Sequence, residues 1–396
     1  MKRQLVFFVI LFASQYGLAH ETSFSPSDSI TKEQALKRDS ITTTKKTSLF
    51  SRFLKYFEES NREKKQKKFD ISFIGGPHYS TDTKLGIGIV ASGIYRTSAS
   101  DSLLVPSNVS LYTDFSIVGF CKIGIRGTHI FPGDRQRINY NTSFSYFPNY
   151  IWGVGYDMGN DNSNKSKIKY FQFKLQASWL FRAAENLFAG PSIAINSVMA
   201  GNVERPELLN GQRRKIINTG IGLSLLYDTR DNLTAPHRGV CMELQQYFRP
   251  EFTGNYYSYH TTSLRVSSYL PIWNGAVFAT DLRSSLNFGH PSWAAMALLG
   301  NSDSMRGYYE GRYRDKHKIE AQLEIRQHIW HRNGIVVWAG AGTIFNKFSK
   351  IRIKHMLPDY GIGYRWEFKK NVNLRLDYGF GKAGQGGFIF NINEAF

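Results

Sequence analysis

Arginine 306 is the residue of this chain whose neighbours most clearly suggest a special environment. It stands in Met305-Arg306-Gly307-Tyr308, inside a long polar segment, residues 301–315 (NSDSMRGYYEGRYRD), beside a glycine and two tyrosines. An exposed loop arginine needs no such company. A buried guanidinium stays charged and must be met by a carboxylate in fork-like geometry. The chemistry on offer is therefore ion pairing in a confined space rather than bond making. The chain contains no G-x-S-x-G, H-E-x-x-H or Cys-x-x-Cys. His328 and His331 are three apart on a strand-like run with His317 upstream; strand positions three apart face opposite sides, which disfavours joint metal ligation. Gly86-x-Gly88 is followed by a strand pattern rather than a helix, which removes a dinucleotide reading. No catalytic residue, metal or cofactor is expected.

The elements that must position Arg306 are strands. From Phe69 to the last residue the pattern has period two, broken at Gly, Asn and Asp. Ile319, Ala321, Leu323 and Ile325 alternate with Glu320, Gln322, Glu324 and Arg326; Val372, Leu374, Leu376 and Tyr378 alternate with Asn373, Arg375 and Asp377. One face is apolar and the other charged. A soluble sandwich would bury its apolar face and would rarely set Arg, Glu and Asp so regularly on such long strands. The pattern predicts a transmembrane antiparallel β-barrel, all-β, over residues 69–396. Eleven strands are expected near 69–79, 84–95, 108–117, 119–131, 135–147, 166–182, 186–200, 216–228, 238–249, 256–270 and 274–288. Five more follow the long loop, near 317–331, 334–346, 357–368, 371–381 and 386–396. Sixteen is an even number, as single-chain bacterial barrels require. The loop, residues 289–316, is expected to enter the lumen.

The compartment is read from the first 19 residues, where Lys2 and Arg3 precede an apolar run and Gly17-Leu18-Ala19 offers a small-x-small cleavage site. This predicts an exported chain with a signal peptide at 1–19. Residues 20–68 read as a polar, basic periplasmic linker, in which Leu49, Phe50, Phe53, Leu54 and Phe57 are spaced for a short amphipathic helix. Aromatic residues make up 15% of the chain, yet no segment reaches 18 consecutive apolar residues, which argues against helical spans. The formal charge of +19 becomes +17 on loss of Lys2 and Arg3, and it favours anionic outer-membrane lipids and lipopolysaccharide over nucleic acid. Cys121 and Cys241, 120 positions apart, imply no disulfide framework.

Three motifs resemble the BamA/TamA superfamily of outer-membrane assembly and translocation proteins, in its C-terminal barrel domain. Residues 222–232 (GLSLLYDTRDN), followed by Pro236-His237-Arg238-Gly239, are similar to the family's Asp-x-Arg-Asp and Pro-x-x-Gly hairpin, here Asp228, Arg230, Asp231, Pro236 and Gly239. Met305, Arg306, Gly307 and Tyr308 look like its Arg-Gly-aromatic loop motif, and residues 359–396 like its last three strands. The resemblance implies that the loop folds into the lumen and that Arg306 meets carboxylates on the wall. Glu324 matches the first of these, and its alternation turns it inward independently. Where the family has a second carboxylate this chain has Gly340, and Glu320, Asp281 or Asp377, all expected inside, are the alternatives. The family's periplasmic POTRA modules do not fit the 49 residues from 20 to 68. The terminal Phe396, with Phe388, Phe390 and Ile392 before it at alternate positions, is similar to the signal read by the outer-membrane assembly machinery. Glu394 interrupts that row, so it lies at the headgroup level or the strand end bends into the lumen.

The expected function is assembly, insertion or translocation of outer-membrane or surface proteins, with client or accessory outer-membrane proteins as partners; a porin-like channel for small solutes is the alternative. No enzymatic activity is expected.

Overall fold

A computed structural model of the chain describes residues 69–80, 82–97 and 107–396. The signal sequence and the basic linker expected at 1–68 lie outside the described residues. In chain order the strands are β1 Phe69–Ser80, β2 Lys84–Tyr95, β3 Ser107–Ser116, β4 Cys121–Ile130, β5 Gln136–Ile151, β6 Ser166–Ala184, β7 Leu187–Gly201, β8 Lys215–Asp228 and β9 Gly239–Arg249. They continue as β10 Tyr259–Trp273, β11 Ala276–Gly289, β12 Ala297–Leu299, β13 Tyr313–Asp315, β14 His317–Trp330, β15 Asn333–Phe345, β16 Leu357–Lys369, β17 Val372–Phe380 and β18 Gly386–Ile392. Sixteen of them close one antiparallel barrel in sequence order, with β11 pairing β14 across the long loop and β18 meeting β1. The remaining two, β12 and β13, form a small ribbon inside that loop, an element too short to leave a periodic signal in the sequence.

Alternation places the two faces as expected. On β14 Leu323 is exposed on the outer wall while Glu320, Gln322 and Glu324 are each 1% exposed. On β17 Tyr378 is exposed and Arg375 and Asp377 are buried. The outer wall carries Ile71, Phe73, Ile87, Phe115, Phe144, Leu223 and Leu270 in the open. Such a band is stable only against lipid, because the strand backbones away from the β1–β18 seam are already paired and the apolar side chains face out. One rim bears the long connections, including residues 152–165, 202–214, 290–316 and 346–356, while the other is crossed by tight turns such as those at 185–186, 274–275 and 331–332. Long loops mark the outer side of such barrels and short turns the inner side.

The closing seam is unlike the other joints. β1 pairs β2 along its whole length, from Phe69 opposite Tyr95 to Ser80 opposite Lys84, but among the described residues it shares with β18 a single register pair, Tyr79 opposite Phe390. Tyr79 also lies against Phe388, with ring centroids 5.7 Å apart. The reason is partly local. β18 stops at Ile392, where Asn393 takes a left-handed φ of +68°, and the last residues turn into the barrel. Of the two arrangements open for Glu394, the inward bend is the one present. Phe396 is therefore not on the lipid face; with Ala395 it packs inside against Tyr269, Val277 and Ala279.

A closed ladder of this kind resists detergent until heated. We expect the unboiled protein to migrate differently from the boiled protein on a detergent gel. Identical mobility in both states would contradict the closed barrel.

Candidate functional site

The long loop leaves β11 at the outer rim and crosses the lumen from wall to wall. Near its start Trp293 sits in an apolar cluster with Ile151, Ile168, Val198, Leu208 and Ile216, its indole Nε1 donating to the carbonyl of Arg213 at 3.0 Å. Met305, Tyr308, Tyr313 and Leu299 pack with Ile344 and Leu357 at the outer ends of β15 and β16. The Tyr308 hydroxyl donates to the Pro358 carbonyl at 2.6 Å and accepts from the Lys382 amide at 2.8 Å. Beyond the turn, Tyr309 hydrogen-bonds Asn149 on β5, and Arg312 Nε donates to the Gly159 carbonyl at 2.8 Å.

The tip that carries Arg306 approaches β17 closely. A Cβ on Gly307 would meet the carbonyl carbon of Phe380 at 2.4 Å, so only glycine lets the loop backbone lie there. Met305 holds a left-handed φ of +49°, a conformation a non-glycine residue keeps only where its surroundings enforce it. The Gly307 amide then donates to Asp359 Oδ1 at 2.8 Å, and Asp359 Oδ2 accepts from Trp338 Nε1 at 2.9 Å. These contacts set the Arg306 guanidinium over the Trp338 ring, 3.6 Å from its centroid, a favourable cation–π stack in a dry place.

Around Arg306 the charges close into a ring. Its Nη2 donates to Glu324 Oε2 at 2.5 Å and its Nη1 to Asp377 Oδ2 at 2.7 Å. Glu324 Oε1 accepts from Arg326 Nε at 2.7 Å, and Arg326 Nε lies 3.8 Å from Glu394 Oε2. Glu394 Oε2 accepts from Arg365 Nε at 2.7 Å, and Arg365 Nη1 donates to Asp377 Oδ1 at 2.6 Å, which returns to Arg306. Three guanidiniums and three carboxylates alternate around the circuit. Isolated buried ions lose several kcal/mol of hydration each, and only alternation with multiple hydrogen bonds offsets that cost.

Of the sequence candidates, Glu324 and Asp377 are thus brought to Arg306, while the other two lie elsewhere. Glu320 accepts from Ser304 Oγ at 2.5 Å and from Lys318 Nζ at 3.0 Å. Asp281 is held by Ser267 at 2.6 Å and by Arg265 and Arg283. The place of the missing carboxylate at Gly340 is filled from the neighbouring strand: a Cβ there would meet Ala321 O at 2.5 Å and Gln322 Cγ at 2.9 Å. Arg326, Arg365, Asp359 and Trp338 were not singled out by sequence as members of this site, and Glu394 was marked only as interrupting the C-terminal row. Arg326 and Arg365 were readable as inward positions of alternating strands, while the two arrangements open for Glu394 are decided by the bend at Asn393.

The hairpin motif between β8 and β9 lies on the opposite, inner rim and is a built turn. Arg230 grips Asp228 through Nε and Nη2 at 2.9 and 2.7 Å, and Asp231 Oδ1 accepts the amides of His237 and Arg238 at 2.9 and 3.2 Å. Gly239 has φ +108°, and a Cβ would meet Thr229 O at 2.4 Å. Pro236 lies within this turn. The turn reaches the end of the chain: Thr234 Oγ1 donates to the Asn371 carbonyl at 2.6 Å and the Glu394 amide donates to the Thr234 carbonyl at 3.3 Å. The ring is thus bound to the loop on one side and, through Glu394, to the hairpin on the other. Arg326 Nη2 further donates to the Phe396 carbonyl at 2.8 Å.

Two predictions follow from these contacts. Arg306→Ala leaves Glu324 Oε2 and Asp377 Oδ2 without the guanidinium they share, each carboxylate keeping only its partner on the wall, Arg326 or Arg365, at a cost of up to roughly 3 to 5 kcal/mol to the docked loop; trypsin should then cut within residues 289–316 while the barrel band survives, and full protease resistance would refute the assignment. The exchange R306E with E324R should not rescue it, since it sets a glutamate against Asp377 and an arginine against Arg326. At the outer rim the Glu310 amide donates to Asp82 Oδ1 at 3.0 Å. Burial first, and Glu310 second, push the Asp82 carboxyl up from 3.8 to about 8. A raised carboxyl favours the docked tip when protonated, so that contribution is complete below pH about 4 and is lost as pH rises through about 8. Tryptic cleavage of the loop should therefore be faster at pH 9 than at pH 7, and Asp82→Asn should remove the difference; a parent protein with no difference would contradict it.

A family model described as the Omp85 superfamily domain matches residues 127–396. No curated protein matches the chain. Among solved structures, the barrel is similar to the crystal structure of BamA from Haemophilus ducreyi lacking POTRA domains 1-3, with a TM-score of 0.54 at 15% identity, over 83% of this chain and 71% of that one. It is similar also to CdiB from Acinetobacter baumannii, with a TM-score of 0.53 at 11% identity over 83% of this chain and 60% of that one. CdiB from Escherichia coli gives 0.52 at 11% identity, over 84% and 63%. At these identities the structures speak for the fold alone, and the chain spans less than two thirds of either CdiB. The family match, over more than half of the sequence, is decisive: the chain belongs to the Omp85 superfamily, the class of outer-membrane β-barrels concerned with protein assembly and translocation.

Proposed function

We propose that this barrel takes part in the assembly, insertion or translocation of outer-membrane or surface proteins, acting at its β1–β18 seam. One observation carries the reading: two strands that should seal a barrel share, among the described residues, a single register pair, beside a lumen crossed by a loop anchored on both walls. A strand edge with unpaired amides and carbonyls is a template for another strand. In lipid such groups must find a partner, so the edge of β1 is suited to receive a client strand. The loop and its charge ring would brace β14 to β17 while the seam opens. The hairpin at Asp228, Arg230, Asp231, Pro236 and Gly239 would brace the inner rim. Phe388, Phe390 and Ile392, on the outer face of β18, with the terminal Phe396, would serve in the barrel's own recognition by the assembly machinery. Accessory outer-membrane proteins are the partners this reading calls for.

A channel is the second reading. What favours it is a polar cavity of about 340 Å³ on the wall of β3 to β9, lined by Asn108, Ser110, Arg126, Asn139, Ser224 and Gln245.

The two separate in one experiment. Cysteines in place of Tyr79 and Phe390, oxidised to lock the seam, should abolish function, and depletion of the protein should lower the abundance of several other barrels in the outer-membrane proteome. Unchanged barrel abundance with altered uptake of small solutes would overturn the assembly reading in favour of the channel.

A further inference from the structure

The outer loop between β15 and β16, residues 346–356, contributes no residue to the charge ring or to the seam, and its composition is extreme. It carries Lys347, Lys350, Arg352 and Lys354, and from Asn346 to Pro358 there is no Asp or Glu. Every residue from 346 to 354 is exposed, and no described carboxylate pairs with any of the four cations. Apolar side chains alternate with them in the open: Phe348 is 51%, Ile351 41% and Ile353 92% exposed. An isoleucine that open to water, set between an arginine and a lysine, is a poor surface for a free loop. It suits a boundary that is apolar on one side and anionic on the other.

The loop's attachment fixes its height. Phe348 packs on the outer wall of the barrel, its ring centroid 5.1 Å from Phe345, 5.4 Å from His317 and 6.5 Å from Phe288. Phe288 and Phe345 are the last outward-facing residues of β11 and β15 before the outer rim, the level at which aromatic girdles meet headgroups. At the other end His355 stacks on Tyr156 with centroids 4.2 Å apart and planes at 10°. The loop is therefore tied at both ends, with Lys350 to Ile353 presented between them and its first aromatic on the lipid-facing side.

We infer that this loop is a binding surface for the phosphate-bearing headgroups of outer-leaflet glycolipids, with Lys347, Lys350, Arg352 and Lys354 on the phosphates and Ile351 and Ile353 at the acyl boundary. Charge complementarity and the girdle-level attachment select a lipid-borne phosphate over a soluble polyanion, which would leave the isoleucines in water. Clustered cations near an anionic membrane surface act together and weaken with salt. The inference stands apart from the assembly reading and uses none of its residues.

The test titrates full-length protein in nonionic detergent with diphosphorylated lipid A, dephosphorylated lipid A and inorganic phosphate. The parent should bind the phosphorylated lipid with an affinity that falls as salt rises, and the dephosphorylated lipid about tenfold more weakly. K347Q/K350Q/R352Q/K354Q should lose about tenfold or more while keeping its heat-shifted gel mobility, and K350Q/R352Q should fall between. I351S/I353S should weaken binding without altering its salt dependence. Retained affinity in both Gln variants, or equal affinity for the two lipids, would overturn the proposal. Competition by inorganic phosphate at equal phosphate concentration would also overturn it, since the surface would then read phosphate without the lipid.

Discussion

The constraint on which the rest of this structure depends is the cost of holding a permanently charged guanidinium fully buried inside the barrel. Arg306 cannot shed its proton, so its surroundings must supply opposite charge and hydrogen bonds in fixed places. Glu324 and Asp377 supply both. Each of those carboxylates then needs a second cation to complete its own shell, which brings in Arg326 and Arg365, and these in turn share Glu394. A single loop arginine thereby organises β14, β16, β17 and the end of the chain. A ring in which charges alternate has no net charge to expel, so it can be buried where no single pair would be comfortable.

This arrangement gives the barrel one stiff side and one loose side. The plug is tied to β14 through β17 by ions, by the Trp338 stack and by the glycine contact at Gly307, whereas β18 has given up its final residues to the ring and meets β1 at one pair among the described residues. The inward bend at Asn393 produces both effects together: it closes the charge circuit and shortens the last strand. A strand end continued outward would lengthen the edge available to β1 but would open the ring.

Much of this was legible in the sequence, for a physical reason. A barrel wall has only two faces, and the period-two pattern over Ile319 to Arg326 and Val372 to Tyr378 states which residues lie on each, so sixteen strands and the inward set Glu320, Glu324, Asp281 and Asp377 could be read directly. Choosing among those acids could not, because they differ only in which strand neighbours stand beside the loop tip. Gly340 shows the same limit, since its vacant side-chain volume is taken by Gln322, on another strand. The small ribbon of β12 and β13 is set by the loop's packing and carries no period of its own. For Phe396 the alternating row left two outcomes, a strand continued along the wall or an end bent into the lumen, and the left-handed turn at Asn393 selects the second.

The central claim is that the ring acts as one unit, so that loop and chain end are coupled although Arg306 and Glu394 do not touch. A double-mutant cycle with Arg306→Ala and Glu394→Gln, read by hydrogen exchange of the loop amides at 301–316 and of Glu394 to Phe396, tests it directly. Coupled members of one network deviate from additivity by about 0.5 to 3 kcal/mol, whereas independent sites add. The account predicts a deviation in that range, with each single substitution loosening both segments. Additive effects, with each substitution loosening only its own segment, would contradict it.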